Sequence, residues 1–139
     1  MKTFWRLLIL VVAGMLCAFS DALLTGLPDL SQPADEWGIG YEEAKMVNPV
    51  IWVDGRSLDE FSKGHFADAL HLDFDNWDMG LGQILEKWEP GTGIVVYCEG
   101  DGCESSRAIA ERLRNELEMD TVYWLTGGWK SLVREMEAQ

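Results

Sequence analysis

Basic residues are scarce in this sequence. The 139-residue chain has 11 Lys and Arg against 24 Asp and Glu, a formal net charge of −13. Two of the 11 basic residues, Lys2 and Arg6, lie in the first 20 residues, which contain no acid, so the other 9 share the rest of the chain with all 24 acids. Such a surface repels phosphate backbones, which argues against nucleic acid as a partner.

Histidine and cysteine are also rare. The two histidines are His65 and His71, and the three cysteines are Cys17, Cys98 and Cys103. A structural zinc site needs about four closely spaced ligands, and the histidines lie far upstream of the last two cysteines. No metal site is therefore predicted. Cys17 lies in an apolar segment and is expected to be inert, which leaves a C-x-x-x-x-C pair.

The first 27 residues are predicted to form a transmembrane anchor or a signal peptide. Two basic residues precede an uncharged run over residues 7–20, which is about 21 Å long as a helix. Because a bilayer core is about 30 Å thick, a membrane-spanning helix would have to continue beyond this run toward Leu27. Alternatively, residues 18–20 offer a small-x-small cleavage site.

The charge of this leader also predicts where the rest of the chain lies. Positive charge stays on the cytoplasmic side of a membrane, so we expect a membrane-anchored domain outside the cytoplasm, on the periplasmic side if the source is bacterial. Cleavage of the leader would instead give a secreted protein. Residues 28–38 contain two prolines and several polar residues and are typical of a linker.

Residues 39–139 are predicted to fold as one α/β domain. Apolar residues make up 47% of the chain, which is enough for a single core. Strands are predicted at 50–54, 69–74, 93–98 and 121–125, and helices at 41–47, 58–64, 82–89, 104–118 and 127–137. Because strands alternate with helices, the pattern indicates a mostly parallel sheet with helices on both faces.

The segment from Cys98 to Ser106 joins the end of a predicted strand to the start of a predicted helix. Ligands of open α/β sheets bind at the carboxyl ends of strands, and the free N–H groups of a helix start favour a thiolate. Gly100 and Gly102 allow successive N–H groups to point inward as an anion nest. Ser105 and Ser106 add hydroxyl groups and a candidate N-cap. The loop therefore has the parts that stabilise an anionic sulfur.

Three acids of the same loop, Glu99, Asp101 and Glu104, oppose a thiolate. Side chains that point inward would raise the pKa of the thiol, whereas side chains that point outward are largely screened by salt. The alternative interpretation is that Cys98 is an ordinary buried residue at a strand end, because free cysteine is commonly buried.

Three segments in order resemble the signatures of the rhodanese-like domain family. Residues 53–72 contain an Asp-x-Arg turn, then Glu-Phe, then Gly-His and a small residue before an apolar stretch. Residues 94–113 resemble the family's strand, active-site loop and helix, and residues 122–132 its closing strand, paired glycines and tryptophan. The resemblance covers residues 39–132 and implies a five-stranded parallel sheet flanked by helices.

The resemblance also implies a chemistry. Cys98 would be a catalytic cysteine that takes sulfur from a donor such as thiosulfate, holds it as a persulfide and passes it to a nucleophilic acceptor. Backbone N–H groups of residues 99–105 would stabilise the anionic sulfur, and no metal or organic cofactor would be needed. The implied partners are a small sulfur donor and a thiol acceptor, and no protein partner is specified.

The other residues that match the family are predicted to be structural. Asp54 and Arg56 would pair across the turn after the first buried strand, and Glu60 would hydrogen-bond nearby backbone. His65, beside Gly64, would fix its loop by hydrogen bonds rather than act as a base.

A glycine pair is expected to shape the chain near the active loop. Gly127 and Gly128 would permit a tight turn where the chain passes close to that loop. Trp129 is predicted to pack in the core.

The loop lacks the arginine that is usual in the family. Four residues normally separate the cysteine from that arginine, and this count from Cys98 reaches Cys103; alignment from Ala110 in the helix reaches Ser105 instead. Because an arginine fork binds oxyanions well, its loss is expected to weaken the use of thiosulfate. A phosphatase or arsenate reductase is disfavoured too, because neither loop cysteine has an arginine six positions on.

The second loop cysteine leaves several functions open. Three interpretations of Cys103 are open: it is a redox partner of Cys98, it is the nucleophile itself, or it only packs against its neighbours. A disulfide is feasible if the loop brings the two Cα atoms within about 4.4–6.8 Å. The leading hypothesis is a sulfurtransferase with Cys98 as persulfide carrier. The alternatives are a dithiol–disulfide redox module and a non-catalytic interaction domain.

Overall fold

The computed structural model describes residues 37–100 and 103–138. The predicted anchor or signal peptide, Cys17, and the linker up to residue 36 lie outside the described residues. Within 37–100 and 103–138, no helix is both long enough and apolar enough to cross a membrane.

Five strands form one all-parallel sheet, which confirms the predicted fold class. The strands are Gly38–Ile39 (β1), Val50–Asp54 (β2), Leu70–His71 (β3), Gly93–Tyr97 (β4) and Val122–Leu125 (β5). They lie in the order β1-β5-β4-β2-β3, and each neighbouring pair is parallel. The two apolar runs predicted as the main strands, β2 and β4, therefore lie side by side at the centre.

In the described residues, four helices connect the strands and a fifth follows β5. They are Tyr41–Ala44 (α1), Leu58–Lys63 (α2), Trp77–Lys87 (α3), Glu104–Leu117 (α4) and Gly128–Glu137 (α5). The α2, α4 and α5 bounds agree with the prediction to within one residue, whereas α3 begins five residues before the predicted 82–89 helix. The early start follows a turn in which the Asp73 side chain accepts a hydrogen bond from the Asn76 N–H at 2.8 Å.

The two edge strands differ from the prediction: β3 is shorter than its sequence suggests, and β1 was not predicted. The apolar–polar alternation over 69–74 yields only the two residues of β3, because they alone find partners in β2, at Val53 and Asp54. The strand β1 was missed, and its residue Gly38 falls in the predicted linker. It is defined by pairing with Trp124 and Leu125 of β5. Such short edges depend on their neighbour in the sheet rather than on their own sequence.

The sheet separates two cores. Ile94 and Val96 of β4 face the layer of α3 and α4, where they pack with Ile84 and Leu113. The alternate residues of β4 face the other layer, whose buried members include Ala44 of α1 and Leu132 of α5. Because both faces of β4 are covered, all five of its residues are buried, and its apolar run is continuous rather than alternating.

Helix α3 contacts the sheet edge through a glycine. A Cβ atom at Gly80 would lie 2.5 Å from the His71 carbonyl oxygen and 2.9 Å from a methyl of Leu72. The lack of a side chain therefore allows α3 to approach β3 closely. Gly82, two residues on in the same helix, faces open space.

These two glycines make a matched pair of substitutions. Gly80→Ala is expected to lower the free energy of unfolding by about 1–3 kcal/mol, because the new methyl overpacks against backbone. Gly82→Ala is expected to raise it by about 0.5–1 kcal/mol, because alanine restricts the unfolded chain and favours the helix. Urea denaturation of the full chain measures both, and equal effects of the same sign would contradict the close approach of α3.

Candidate active site at the carboxyl ends of β2 and β4

A cleft lies where β2 and β4 end. Asp54 and Tyr97 are paired in the sheet register, so the segments that follow them leave the sheet side by side. The cleft has a volume of about 480 Å³ and is lined by residues after β2 and by residues after β4. Its lining is Gly55, Arg56, Ser57, Glu60, Cys98, Glu99, Cys103 and Ser105. This position agrees with the rule that ligands of parallel sheets bind at the carboxyl ends of the strands.

Cys98 and Cys103 are joined by a disulfide. Their Cα atoms are 6.3 Å apart, within the range that a disulfide requires. Cys98 follows β4 and is 2% exposed, whereas Cys103 is partly exposed and is the N-cap residue of α4. Cys103 is therefore paired with Cys98, as in the redox-partner interpretation. A thiolate at Cys98 can form only after this disulfide is reduced.

Ser106 places a hydroxyl group beside the sulfur of Cys98. Its Oγ lies 3.3 Å from the Cys98 Sγ and donates to the Cys103 carbonyl oxygen at 3.4 Å. Ser106 is 1% exposed, so water does not compete for this hydroxyl. Ser105 lies in the cleft wall instead. Neither serine is the N-cap of α4, since that position is occupied by Cys103.

In the disulfide-bonded loop, the Cys103 N–H does not take part in the predicted anion nest. It donates to the Gly100 carbonyl oxygen at 3.3 Å instead. Asp101 and Gly102 lie outside the described residues. Of the acids, Glu104 is exposed and the Glu99 side chain is 56% exposed. Glu104 is therefore largely screened by salt, whereas Glu99 also lines the cleft and faces Arg56.

The start of α5 holds the start of the cysteine loop. The Trp129 N–H donates to the Cys98 carbonyl oxygen at 2.6 Å, and the Lys130 N–H donates to that of Glu99 at 3.4 Å. Gly128 has φ +52°, and a Cβ there would collide with the Cys98 carbonyl oxygen and lie 2.9 Å from the Gly100 nitrogen. With Gly127 also left-handed, at φ 77°, the predicted tight turn near the active loop is present.

Asp54 and Arg56 form the predicted pair, and they are buried. The Arg56 Nη2 donates to the Asp54 Oδ2 at 2.7 Å and to the Gly64 carbonyl oxygen at 2.6 Å, and its Nε donates to the Asp54 Oδ1 at 3.0 Å. Burial alone lowers the pKa of Arg56, but the hydrogen bond and charge of Asp54 outweigh it and leave this pKa raised. Arg56 therefore carries a permanent charge.

Sequence reasoning did not foresee that Arg56 faces the cysteine loop. Its Nη1 lies 3.8 Å from a Glu99 carboxylate oxygen, and its guanidinium lies 4.3 Å from the Trp129 ring centre. The available signal was its position two residues after β2, which places it at the same sheet edge as Cys98. Arg107 of α4 lies over the Trp124 ring at 4.8 Å and is not among the residues that line the cleft.

Of the next two predicted residues, Glu60 lines the cleft and His65 is not among the lining residues. His65 is exposed, its Nδ1 lies 3.0 Å from the Phe61 carbonyl oxygen, and its ring stacks on Phe61 at 4.0 Å. The Glu60 carboxylate pairs with Lys63 at 2.8 Å, rather than with backbone as predicted.

Two aromatic residues lie beside Arg56, whose guanidinium is 4.3 Å from the Trp129 ring centre and 5.9 Å from that of Tyr97. Trp129 is partly buried and stacks on Tyr97, with 6.0 Å between ring centres. Tyr97 itself is fully buried, and burial raises the pKa of its phenol. It therefore stays neutral and accepts a hydrogen bond from the Phe66 N–H at 3.0 Å.

Comparison with solved structures shows the fold. A BH2092 protein from Bacillus halodurans is 18% identical, with a TM-score of 0.59, and the match covers 72% of this chain and 73% of that one. A protein from Lactobacillus plantarum is 13% identical, with a TM-score of 0.52, covering 72% of this chain and 84% of that one.

Comparison of sequences shows the family. A tRNA uridine(34) hydroxylase from Pectobacterium carotovorum subsp. carotovorum is 30% identical over 107 residues, covering 71% of this chain. The chain spans only 29% of the length of that curated relative. The profile of the rhodanese-like domain matches residues 41–135, which include the cleft and both loop cysteines. The chain is therefore a member of the rhodanese-like domain family.

Proposed function

We propose that this chain is a sulfurtransferase that carries sulfur as a persulfide on Cys98 after the Cys98–Cys103 disulfide is reduced. The observation that carries the proposal is the position of Cys98 in the cleft at the end of β4, with the buried Ser106 hydroxyl 3.3 Å from its sulfur. A hydroxyl that donates to a thiolate favours the charged, nucleophilic form. The adjacent start of α4 adds a partial positive charge.

The proposed reaction with thiosulfate balances without a cofactor. The Cys98 thiolate attacks the outer sulfur of thiosulfate, a new S–S bond forms, and sulfite leaves with the electron pair of the old bond. The acceptor is a small thiol whose thiolate then attacks the outer sulfur of the persulfide. Arg56 is the buried cation of the cleft, but Asp54 already neutralises most of its charge. We therefore expect slow loading by the doubly charged thiosulfate, as the missing loop arginine also suggests.

A dithiol–disulfide redox module is the second candidate. The disulfide between the two loop cysteines favours it. In that function, an external thiol attacks the sulfur of Cys103, because this residue is partly exposed, whereas Cys98 is buried.

The activity named for the Pectobacterium relative is not proposed for this chain. The chain matches only 29% of that protein, and its net charge of −13 opposes the approach of an RNA backbone.

For the leader, we propose a retained membrane anchor in residues 1–27, with the domain outside the cytoplasm. The support is the sequence alone: Lys2 and Arg6 followed by the uncharged run. A cleaved signal peptide is the alternative.

The persulfide is testable in a variant that cannot form the loop disulfide. Reduced Cys103→Ser protein treated with thiosulfate is expected to become one sulfur atom heavier by intact mass, with one sulfite released per chain. The Cys98→Ser/Cys103→Ser double variant is expected to stay unchanged, and Cys17→Ser/Cys103→Ser to behave like Cys103→Ser. A sulfur adduct on the double variant, or none on the single variant, would overturn the proposal.

Ser106 is expected to tune the reactivity of Cys98. In the Cys103→Ser background, Ser106→Ala removes the hydroxyl that lies 3.3 Å from the Cys98 sulfur. In the reduced protein we expect this hydroxyl to turn its hydrogen from the Cys103 carbonyl oxygen to the thiolate. Its loss should therefore raise the pKa of the Cys98 thiol by about 1–2 units, since such a bond contributes about 1.5–3 kcal/mol. The pH dependence of alkylation by iodoacetamide measures this pKa. Ser105→Ala is the matched control, because no hydrogen bond joins it to Cys98 in the described part of the chain. An equal effect of both substitutions would contradict a direct role for Ser106.

The membrane proposal is tested by a reporter fused after residue 30. The fusion is expected in the membrane fraction, with the reporter accessible to protease from outside the cytoplasm. A matched fusion without residues 1–27 should stay in the cytoplasm. Soluble reporter outside the cytoplasm would replace the anchor with a cleaved signal, and a cytoplasmic full fusion would reject both.

A further inference from the structure

We infer that Cys103 resolves the Cys98 persulfide within the chain, so that sulfur leaves as hydrosulfide and the loop disulfide is the product. This inference rests on the proposed persulfide and adds a second fate for it. In the first fate an external thiol takes the sulfur; in the second Cys103 expels it. The disulfide of this structure is then the end point of one turnover.

The first support is proximity. The two Cα atoms lie 6.3 Å apart, and the Cys103 N–H donates to the Gly100 carbonyl oxygen. The loop is also fixed at its other end, where Trp129 holds the Cys98 carbonyl. A nucleophile held this way reacts as an intramolecular group, with an effective concentration far above that of a free thiol.

The second support is the environment of Cys103. It is the N-cap residue of the 14-residue helix α4, where free N–H groups and the helix dipole favour a thiolate. It lines the cleft together with Cys98. Cys103 is a partly exposed residue, whereas Cys98 is 2% exposed. An external thiol is therefore expected to attack the disulfide at Cys103. This attack releases the Cys98 thiolate and begins the reduction of the loop disulfide.

The step balances without an external oxidant. The Cys103 thiolate attacks the Sγ of Cys98, the bond between that Sγ and the outer sulfur breaks, and the outer sulfur leaves with the electron pair. It takes the proton that Cys103 released and becomes hydrosulfide. The two cysteines are oxidised to the disulfide, and the outer sulfur is reduced. A dithiol reductant then regenerates both thiols. One cycle thus converts thiosulfate and a dithiol into sulfite, hydrosulfide and a disulfide.

A single-turnover experiment tests this resolution. The full chain is reduced, freed of reductant and treated with thiosulfate, and then hydrosulfide, sulfite and intact mass are followed without added thiol. The wild-type chain is expected to release one hydrosulfide per sulfite and to end two hydrogens lighter than the reduced protein. Cys103→Ser and Cys103→Ala are expected to retain the persulfide and to release hydrosulfide at least tenfold more slowly. Cys17→Ser is the control for a generic thiol and should match the wild type.

The outcomes separate this inference from the proposed function. A wild-type chain that keeps its extra sulfur as firmly as the Cys103 variants would overturn the resolution step and leave the persulfide intact. Hydrosulfide release that is equal in wild type and both Cys103 variants would do the same. If sulfite and adduct are missing from every variant, the persulfide itself fails, and the resolution step fails with it.

Discussion

The hydrogen bond from the Trp129 N–H to the Cys98 carbonyl oxygen, 2.6 Å long, is the constraint on which the site depends. It ties the point where the loop leaves β4 to the start of α5, the last helix of the chain. Gly128 makes the approach possible, because its left-handed backbone and missing side chain leave room for the Cys98 carbonyl. The first cysteine of the loop is therefore held by the sheet and by α5, and the second is held by α4.

The buried charge at the cleft is largely neutralised. Arg56 is hydrogen-bonded to Asp54 and to the Gly64 carbonyl, and it also faces Glu99. The guanidinium of Arg56 thus links the segments that follow β2 and β4. Its partners offset part of its positive charge, so a ligand would feel only the remainder. Because Arg56 already has these partners, we expect the cleft to bind a doubly charged oxyanion weakly.

The two cysteines have complementary surroundings. Cys98 is buried beside Ser106, whereas Cys103 is partly exposed at the start of α4. The more exposed residue offers an external thiol the easier point of attack on the disulfide, since the rate of exchange depends on access. The two proposed functions, sulfur carrier and redox module, therefore use the same pair of cysteines.

The sequence alone determined the family, through three motifs in order, and the parallel sheet, through strands that alternate with helices. It also predicted the central strands, because β2 and β4 are largely apolar runs. It also placed Cys98 at a strand end and predicted the Asp54–Arg56 pair, since both follow from short-range order along the chain. The tertiary structure decided the rest. The strand β1, the early start of α3, the burial of Ser106 against Cys98 and the approach of Arg56 to the cysteine loop all depend on contacts between segments far apart in sequence. Such contacts are set by how the helices pack on the sheet, and no local pattern of residues records that packing.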